Sequence, residues 1–304
     1  MIRLYKKKRG KRGKQRREMK KRPVESAGGG PRPYQVGKAS IHDPKIRQPA
    51  SAARGLVPKV PFRLLLSGSS GSGKTNVARW MLDKHYHRFF SDIFLLSPTA
   101  KIDPVWKDVH GLKKQNRITD PTSAALTRIL RRAENNVKQS GKNRGKHVLV
   151  ILDDVIAASS FINSPAFLTA FIRGRHFLVS IIIMTQSYVK VPRSSRIQAS
   201  HVIFFPSQTT EIDRLYTEHG PHQCSKRQFY ELVQRATAPT QSEPYPFLYI
   251  NRSAPVEQRF RRNLDLPLSF EEGLRKQKKK KQKKMKKEEE EEEEQTTIQD
   301  AIQR

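Results

Sequence analysis

A three-layer α/β domain with a mainly parallel central sheet is the fold class that the sequence predicts, and three observations predict it. Apolar runs of strand length recur at residues 62–66, 92–96, 147–152, 177–184 and 201–205. Stretches with helical spacing separate several of them. The first run passes into Gly68-Ser-Ser-Gly-Ser-Gly-Lys-Thr75, which fits the P-loop pattern G-x-x-x-x-G-K-S/T and opens a helical segment. Near-continuous apolar strands joined by helices indicate a parallel sheet buried on both faces. In an open sheet of this kind a ligand is expected at the carboxyl ends of the strands.

Taken in order, residues 1–59 read as a basic arm and a Pro/Gly linker, mostly disordered. Residues 1–23 hold thirteen Lys or Arg against one Glu, too little apolar surface to fold alone. Such an arm suits nucleic-acid binding or nuclear import. The P-loop domain is expected over residues 60–262. After its first strand and a helix at 76–83, the strand at 92–96 closes in Ser97-Pro98. A helix is predicted over 121–137, then the strand at 147–152 leading into Asp153-Asp154. One helix is expected over 160–172, and Arg173-Gly-Arg-His176 interrupts before the strand at 177–184, which ends in Thr185-Gln186. The strand at 201–205 is closed by Pro206. Helices at 209–218 and 226–235 follow, joined by a Gly-Pro turn, and 247–250 reads as the last strand. Residues 263–304 form a charged low-complexity tail, lysines first and then seven consecutive glutamates from Glu288.

Composition narrows the partners. The chain of 304 residues carries 60 Lys and Arg against 28 Asp and Glu, a formal charge of +32. The arm supplies only part of that excess, so the folded portion is itself basic, which favours a polyanion, nucleic acid before membrane. Cys224 is the only cysteine, which rules out an intramolecular disulfide framework. No apolar run approaches the length of a membrane span. The basic N-terminus has no apolar region behind it and does not read as a secretory signal.

The chemistry sits in a few short stretches. Glycines let the backbone of Gly68, Ser69, Ser70, Gly71, Ser72 and Gly73 turn tightly and aim successive N–H groups at phosphate oxygens, and the following helix adds its positive end. Lys74 then reaches the β- and γ-phosphates of ATP, and the Thr75 hydroxyl is placed to hold Mg²⁺. Asp153 would fall opposite Thr75 and complete the metal shell, and Asp154 suits a general base for the attacking water. Gln186, at the end of the next strand, can sense the γ-phosphate or orient that water. Arg173, Arg175, Arg193 and Arg196 are candidates for an arginine finger that completes a neighbouring subunit's site. His219, His222 and Cys224 lie close together but fit no zinc spacing. Trp80 and Trp106 read as packing residues, and His85 and His87 as charges favouring the negative end of a helix.

In this order the P-loop, Ser97-Pro-Thr99, Leu152-Asp-Asp154, Gly174-Arg-His176, Thr185-Gln186 and Val191-Pro-Arg-Ser-Ser-Arg196 resemble the poxvirus-type viral DNA-packaging ATPases, members of the FtsK–HerA group of P-loop translocases with virophage and Polinton-like relatives. The likeness covers roughly residues 60–252, and the Gly-Arg-His and Thr-Gln elements are its more specific part. It implies a RecA/FtsK–HerA-like ATPase fold and a motor that moves double-stranded DNA into a preformed viral capsid as a homo-oligomeric ring. It implies a virion-associated protein in the host cell; the basic arm, which lies outside the likeness, is what suggests the nucleus. By the same likeness Lys74 and Thr75 hold phosphate and Mg²⁺, Asp153 completes the metal shell, Asp154 is the base, Gln186 the sensor and Arg196 the finger. Two other functions fit the same residues: a helicase or segregation translocase of a mobile element, and a nucleic-acid-condensing virion protein with a vestigial P-loop.

Overall fold

The computed structural model describes residues 46–141 and 145–270. The basic arm, most of the linker and the Lys/Glu tract from residue 271 fall outside the described residues. A one-turn helix α1 (Ala50–Ala53) leads to β1 (Arg63–Ser67), and the glycine-rich loop runs into α2 (Lys74–Lys84). β2 (Asp92–Leu96) and the two-residue β3 (Arg117–Ile118) precede the long helix α3 (Ser123–Ser140), whose N-terminus Thr122 caps by accepting the Ala125 N–H at 3.2 Å. β4 (Val148–Asp153) follows, then α4 (Ser159–Ile162) and α5 (Pro165–Arg173). The single helix expected over 160–172 is therefore two. Ser164 accepts from the Phe167 N–H at 3.2 Å and begins a second helix, with Pro165 in the first turn where its missing N–H costs nothing.

β5 (Val179–Thr185), α6 (Arg193–Arg196) and β6 (His201–Phe204) complete the central strands. α7 (Thr209–His219) and α8 (Lys226–Thr237) pack behind them, α8 opened by a capping box between Ser225 and Gln228. β7 (Leu248–Asn251) is not the last strand, contrary to expectation. The short helix α9 (Val256–Arg259) leads to β8 (Phe260–Arg262) and β9 (Leu266–Pro267).

Among the described residues these strands form one sheet in the order β3-β2-β4-β5-β1-β6-β7-β8-β9. The pairs from β3 to β6 are parallel, and those from β6 to β9 antiparallel. β5 lies between β1 and β4, so Ser67 pairs with Thr185 and Asp153 with Met184. That register brings the carboxyl ends of β1, β5 and β4 level.

Strand side chains alternate between two cores, which is why the strands read as unbroken apolar runs. Leu65, Val150, Leu152, Ile181 and Ile183 pack on one face with Leu126 and Leu130 of α3, Phe167 and Phe171 of α5, and Phe229 of α8. Leu64, Leu66, Leu149, Ile151 and Met184 face the other side with Met81 and Leu82 of α2 and Trp106. The packed region is wider than the expected 60–262. Ala52 and Val57 are buried in the second core, and the Gln48 side chain brackets the Val60 backbone at 2.7 and 2.8 Å. At the far end Leu264 and Leu268 are buried as well.

Candidate nucleotide site

The P-loop leaves β1 with Gly68 pressed against the sheet. A Cβ at Gly68 would lie 2.6 Å from Phe205 Cβ and 2.8 Å from Ser72 Oγ, so no larger residue fits without moving the loop. Gly73, the N-cap of α2, has φ of 95°, a conformation that costs an L side chain strain. These two positions explain why the pattern demands glycine at its first and sixth places. Ser69, Ser70 and Gly71 are exposed at the crest of the loop, and Ser72 and Thr75 are half-buried. Thr75 sits in the first turn of α2, where its N–H belongs to the helix's positive end.

Lys74 is buried, and its ammonium donates to the carbonyls of Gly68 at 2.8 Å and Ser69 at 2.7 Å. Burial lowers its pKa, while Asp154 and Asp153 oppose that shift. The two carboxylates thus lie within electrostatic reach of the loop lysine, as the sequence pattern requires.

Asp153 ends β4 and is buried. Burial, then the charges of Asp154 and Asp103, pushes its carboxyl up to about 6, against the opposing pull of Lys74 and the Trp106 side chain. A carboxylate with that surplus of negative surroundings is suited to a divalent cation, and Thr75, Asp153 and the loop supply oxygen donors of the kind Mg²⁺ takes. Asp154 turns out of the strand in a left-handed conformation, φ 49°. Its exposed carboxylate accepts from the Gln186 amide at 3.2 and 3.4 Å, and its N–H donates to Met184 O at 3.3 Å. Adjacent residues therefore point to different work, one buried beside the loop and one presented to solvent under an amide.

The structure thus brings Lys74, Asp153, Asp154 and Gln186 together at the carboxyl ends of three neighbouring strands. It does not present Arg196 in the same way. The Arg196 and Glu218 side chains are only 5% and 4% exposed and pair at 2.6 Å. The guanidinium also donates to the carbonyls of Val189, at 3.0 Å, and Val191, and lies 5.3 Å over the Tyr188 ring. Every guanidinium nitrogen thus donates within its own chain, so Arg196 ties α6 to α7 and is not turned outward as the expected finger for a neighbour would be. Arg173, Arg175 and Arg193 are exposed.

His219 is buried and bonds through Nε2 with the Tyr188 hydroxyl at 2.7 Å, and Cys224 Sγ donates to the Ser225 carbonyl at 3.3 Å. Burial lowers the His85 pKa, with Arg54 adding to the effect, which runs against the expectation of a charge at the end of α2. Trp106 is fully buried as expected, but Trp80 is 45% exposed. No helix among the described residues is long and apolar enough to cross a membrane.

Comparison with known proteins gives one family. A family model described as "Poxvirus A32 protein" matches residues 52–259, more than half of the chain. The DNA packaging protein OPG160 of monkeypox virus is 30% identical over 167 residues, 52% of this chain and 52% of that protein. OPG160 of vaccinia virus (strain Copenhagen) is also 30% identical over 167 residues, covering 52% of this chain and 57% of that protein. The matched stretch thus spans about half the length of these relatives. Among solved structures, the genome packaging NTPase B204 of Sulfolobus turreted icosahedral virus 2, in complex with ATP-gammaS, is 13% identical with a TM-score of 0.44, covering 66% of this chain and 96% of that one. The DNA-packaging ATPase B204 of Sulfolobus Turreted Icosahedral Virus is 14% identical with a TM-score of 0.46, covering 67% and 97%.

Proposed function

Because the chain belongs to the poxvirus A32 protein family, we propose that it is an ATP-hydrolysing motor that translocates double-stranded DNA into a viral capsid. The observation that carries the reading is the convergence of Lys74, Asp153, Asp154 and Gln186 around one phosphate loop. The name of the relatives, DNA packaging protein, supports the task to which hydrolysis is put.

On this reading the backbone of residues 68–73 cradles the phosphates and Lys74 exchanges its two loop carbonyls for phosphate oxygens. Thr75 and Asp153 would hold Mg²⁺, which when bound would neutralise charge on the phosphates. Asp154 accepts the proton of the attacking water while Gln186 fixes the carboxylate's direction. A finger from a neighbouring copy in a ring, if the motor uses one, comes from exposed Arg173, Arg175 or Arg193 rather than from Arg196. The basic character extends to the fold itself. Arg128, Arg131 and Arg132 of α3 line an open cleft with Lys146 beside Asp92, near the amino ends of β2 and β4. The proposed domain layout is a packed ATPase unit flanked by a basic arm and a charged tail. A virion-associated place follows from packaging; a nuclear address would rest on residues 1–23 alone.

The test is ATP hydrolysis by the full chain with and without duplex DNA, beside a strand-displacement assay. Hydrolysis that rises with duplex DNA, without strand separation, is the expected result. No hydrolysis would favour the condensing protein with a vestigial loop, and strand separation would favour a helicase.

A further inference from the structure

An apolar cleft lies along α2 close to the phosphate loop, sharing Tyr245 as the neighbour of Gly73, and none of the residues discussed for hydrolysis lines it. Its volume is about 570 Å³, and its walls include Val77 and Trp80 of α2, Tyr245 and Phe247 from the segment before β7, and His85. Tyr245 is 62% exposed and Trp80 45%, unusual for aromatic rings so near a buried core.

Three features join this cleft to the loop. Gly73, Val77 and Trp80 are spaced i, i+4 and i+7, so they lie along one face of α2. That face runs from the last turn of the phosphate cradle for ~10 Å at 1.5 Å per residue. The Tyr245 side chain stands over the start of it, with Cβ 3.6 Å from where a Cβ on Gly73 would be. At the other end the His85 ring meets Trp80 edge-on, with centroids 4.8 Å apart and planes at 83°. Both His85 ring nitrogens are buried and lack a hydrogen-bond partner among the described residues. Being buried, they are not offered to a ligand, so what His85 contributes to the cleft is edge-on support of the Trp80 ring.

We infer that this cleft is the nucleobase site of the nucleoside triphosphate, with Trp80 and Tyr245 as stacking faces. The inference rests on the phosphate-loop reading proposed above. A ribose and base leaving phosphates held by residues 68–75 have an apolar channel lined with aromatic faces on one side of the loop. Base stacking on such rings gains affinity without demanding one base, and a purine offers the larger face.

The experiment compares three ligands on the full chain by calorimetry: ATP, CTP and inorganic tripolyphosphate, which carries the phosphates alone. Wild-type protein should bind ATP more tightly than CTP, and CTP more tightly than tripolyphosphate. Trp80→Ala and Tyr245→Ala should each weaken ATP binding about tenfold, equal to ~1.4 kcal/mol, and leave tripolyphosphate unchanged. Tyr245→Phe should restore ATP binding, because the ring face and not the hydroxyl makes the contact. Both rings are partly exposed, so unchanged melting temperatures serve as the control for folding. Equal wild-type affinity for ATP and tripolyphosphate would overturn the inference while leaving the phosphate site standing. ATP binding unaffected by either alanine would overturn it as well. Failure of all three ligands to bind would sink the phosphate-loop reading and this inference with it.

Discussion

Arg196→Ala tests whether the buried ion pair is structural or catalytic. Removing the guanidinium leaves the Glu218 carboxylate, 4% exposed, with Tyr188 as its remaining donor, at 2.7 Å. Burial alone would raise the Glu218 pKa, but the hydrogen bonds from Arg196 and Tyr188 outweigh it and hold the carboxyl below its ordinary range. Breaking a buried pair by deleting one partner costs roughly 3–5 kcal/mol. At ~2–4 °C per kcal/mol for a domain of this size, the melting temperature should fall by roughly 6–20 °C. Differential scanning calorimetry of the full chain reads this directly. Replacing both partners, Arg196→Met with Glu218→Leu, should recover most of the loss, since apolar substitutes of similar volume leave no charge buried alone. A single variant that melts like wild type yet hydrolyses no ATP would refute the structural role. If such a variant regained activity when mixed with Lys74→Ala protein, Arg196 would be restored as a finger acting between subunits.

Lys74→Ala should abolish ATP binding, read by calorimetry, whereas Asp154→Asn should bind ATP normally and lose ~10²–10⁴ in turnover, the usual share of a general base. Near-normal turnover in Asp154→Asn would remove that residue from the chemistry. Gly68→Ala should weaken nucleotide binding through the clash at Phe205 Cβ, 2.6 Å away, and unchanged ATP binding in calorimetry would refute that account. His219 is held neutral by burial, with Arg252 adding to the effect, at a pKa of about 3. The unfolded chain takes up that proton below ~6.5 and the folded chain does not, so stability falls as pH drops from ~6.5 towards 3. His219→Gln should flatten that part of the stability curve in urea titrations, and an unchanged slope would mean the ring is protonated in place. Deleting residues 1–23 should make the slope of log K against log salt for duplex DNA shallower, by about 0.9 for each phosphate that the arm neutralises. An unchanged slope would assign the arm to another partner.

What is legible in the sequence is what local spacing encodes. The phosphate loop, the acidic pair after an apolar strand and the strand ending in Thr185-Gln186 each occupy adjacent residues, so their geometry follows from short-range rules. β3 and β8 are not legible. Arg117–Ile118 is too short for a period to register, and Phe260-Arg-Arg262 looks polar because its arginines find partners elsewhere, Arg262 with Glu243 at 2.8 Å. The break between α4 and α5 is readable in principle, since Ser164-Pro165 is a cap followed by a first-turn proline, but the continuous apolar spacing around it outweighs that signal. Arg196 misleads for a different reason. Arginine is rarely buried unless paired, and its partner is 22 positions away on another helix, beyond the reach of any local pattern. The packing of residues just before 60 is not legible either, because the Gln48 hydrogen bond with Val60 is not visible in composition.

The position of β5 has a consequence for how phenotypes at this site should be read. The residues from Gln186 to Tyr188 turn to four different partners. Gln186 holds Asp154, Ser187 donates to Glu211 at 2.6 Å, and the Tyr188 N–H donates to the same carboxylate at 2.8 Å. The Tyr188 hydroxyl then reaches Glu218, the residue that pairs with Arg196, and His219. Asp154's partner therefore belongs to a segment whose other end is pinned to α7 by a buried charge network. A group of this kind acts on the base only through position: when the network loosens, the amide loses its fixed direction while the phosphate loop, held by β1 and Phe205, keeps its shape. Loss of turnover with intact nucleotide binding would therefore be the expected signature of damage at Arg196 or Glu218 as much as at Asp154. The melting temperature separates them, because Asp154 is exposed and its substitution leaves no buried charge unpaired.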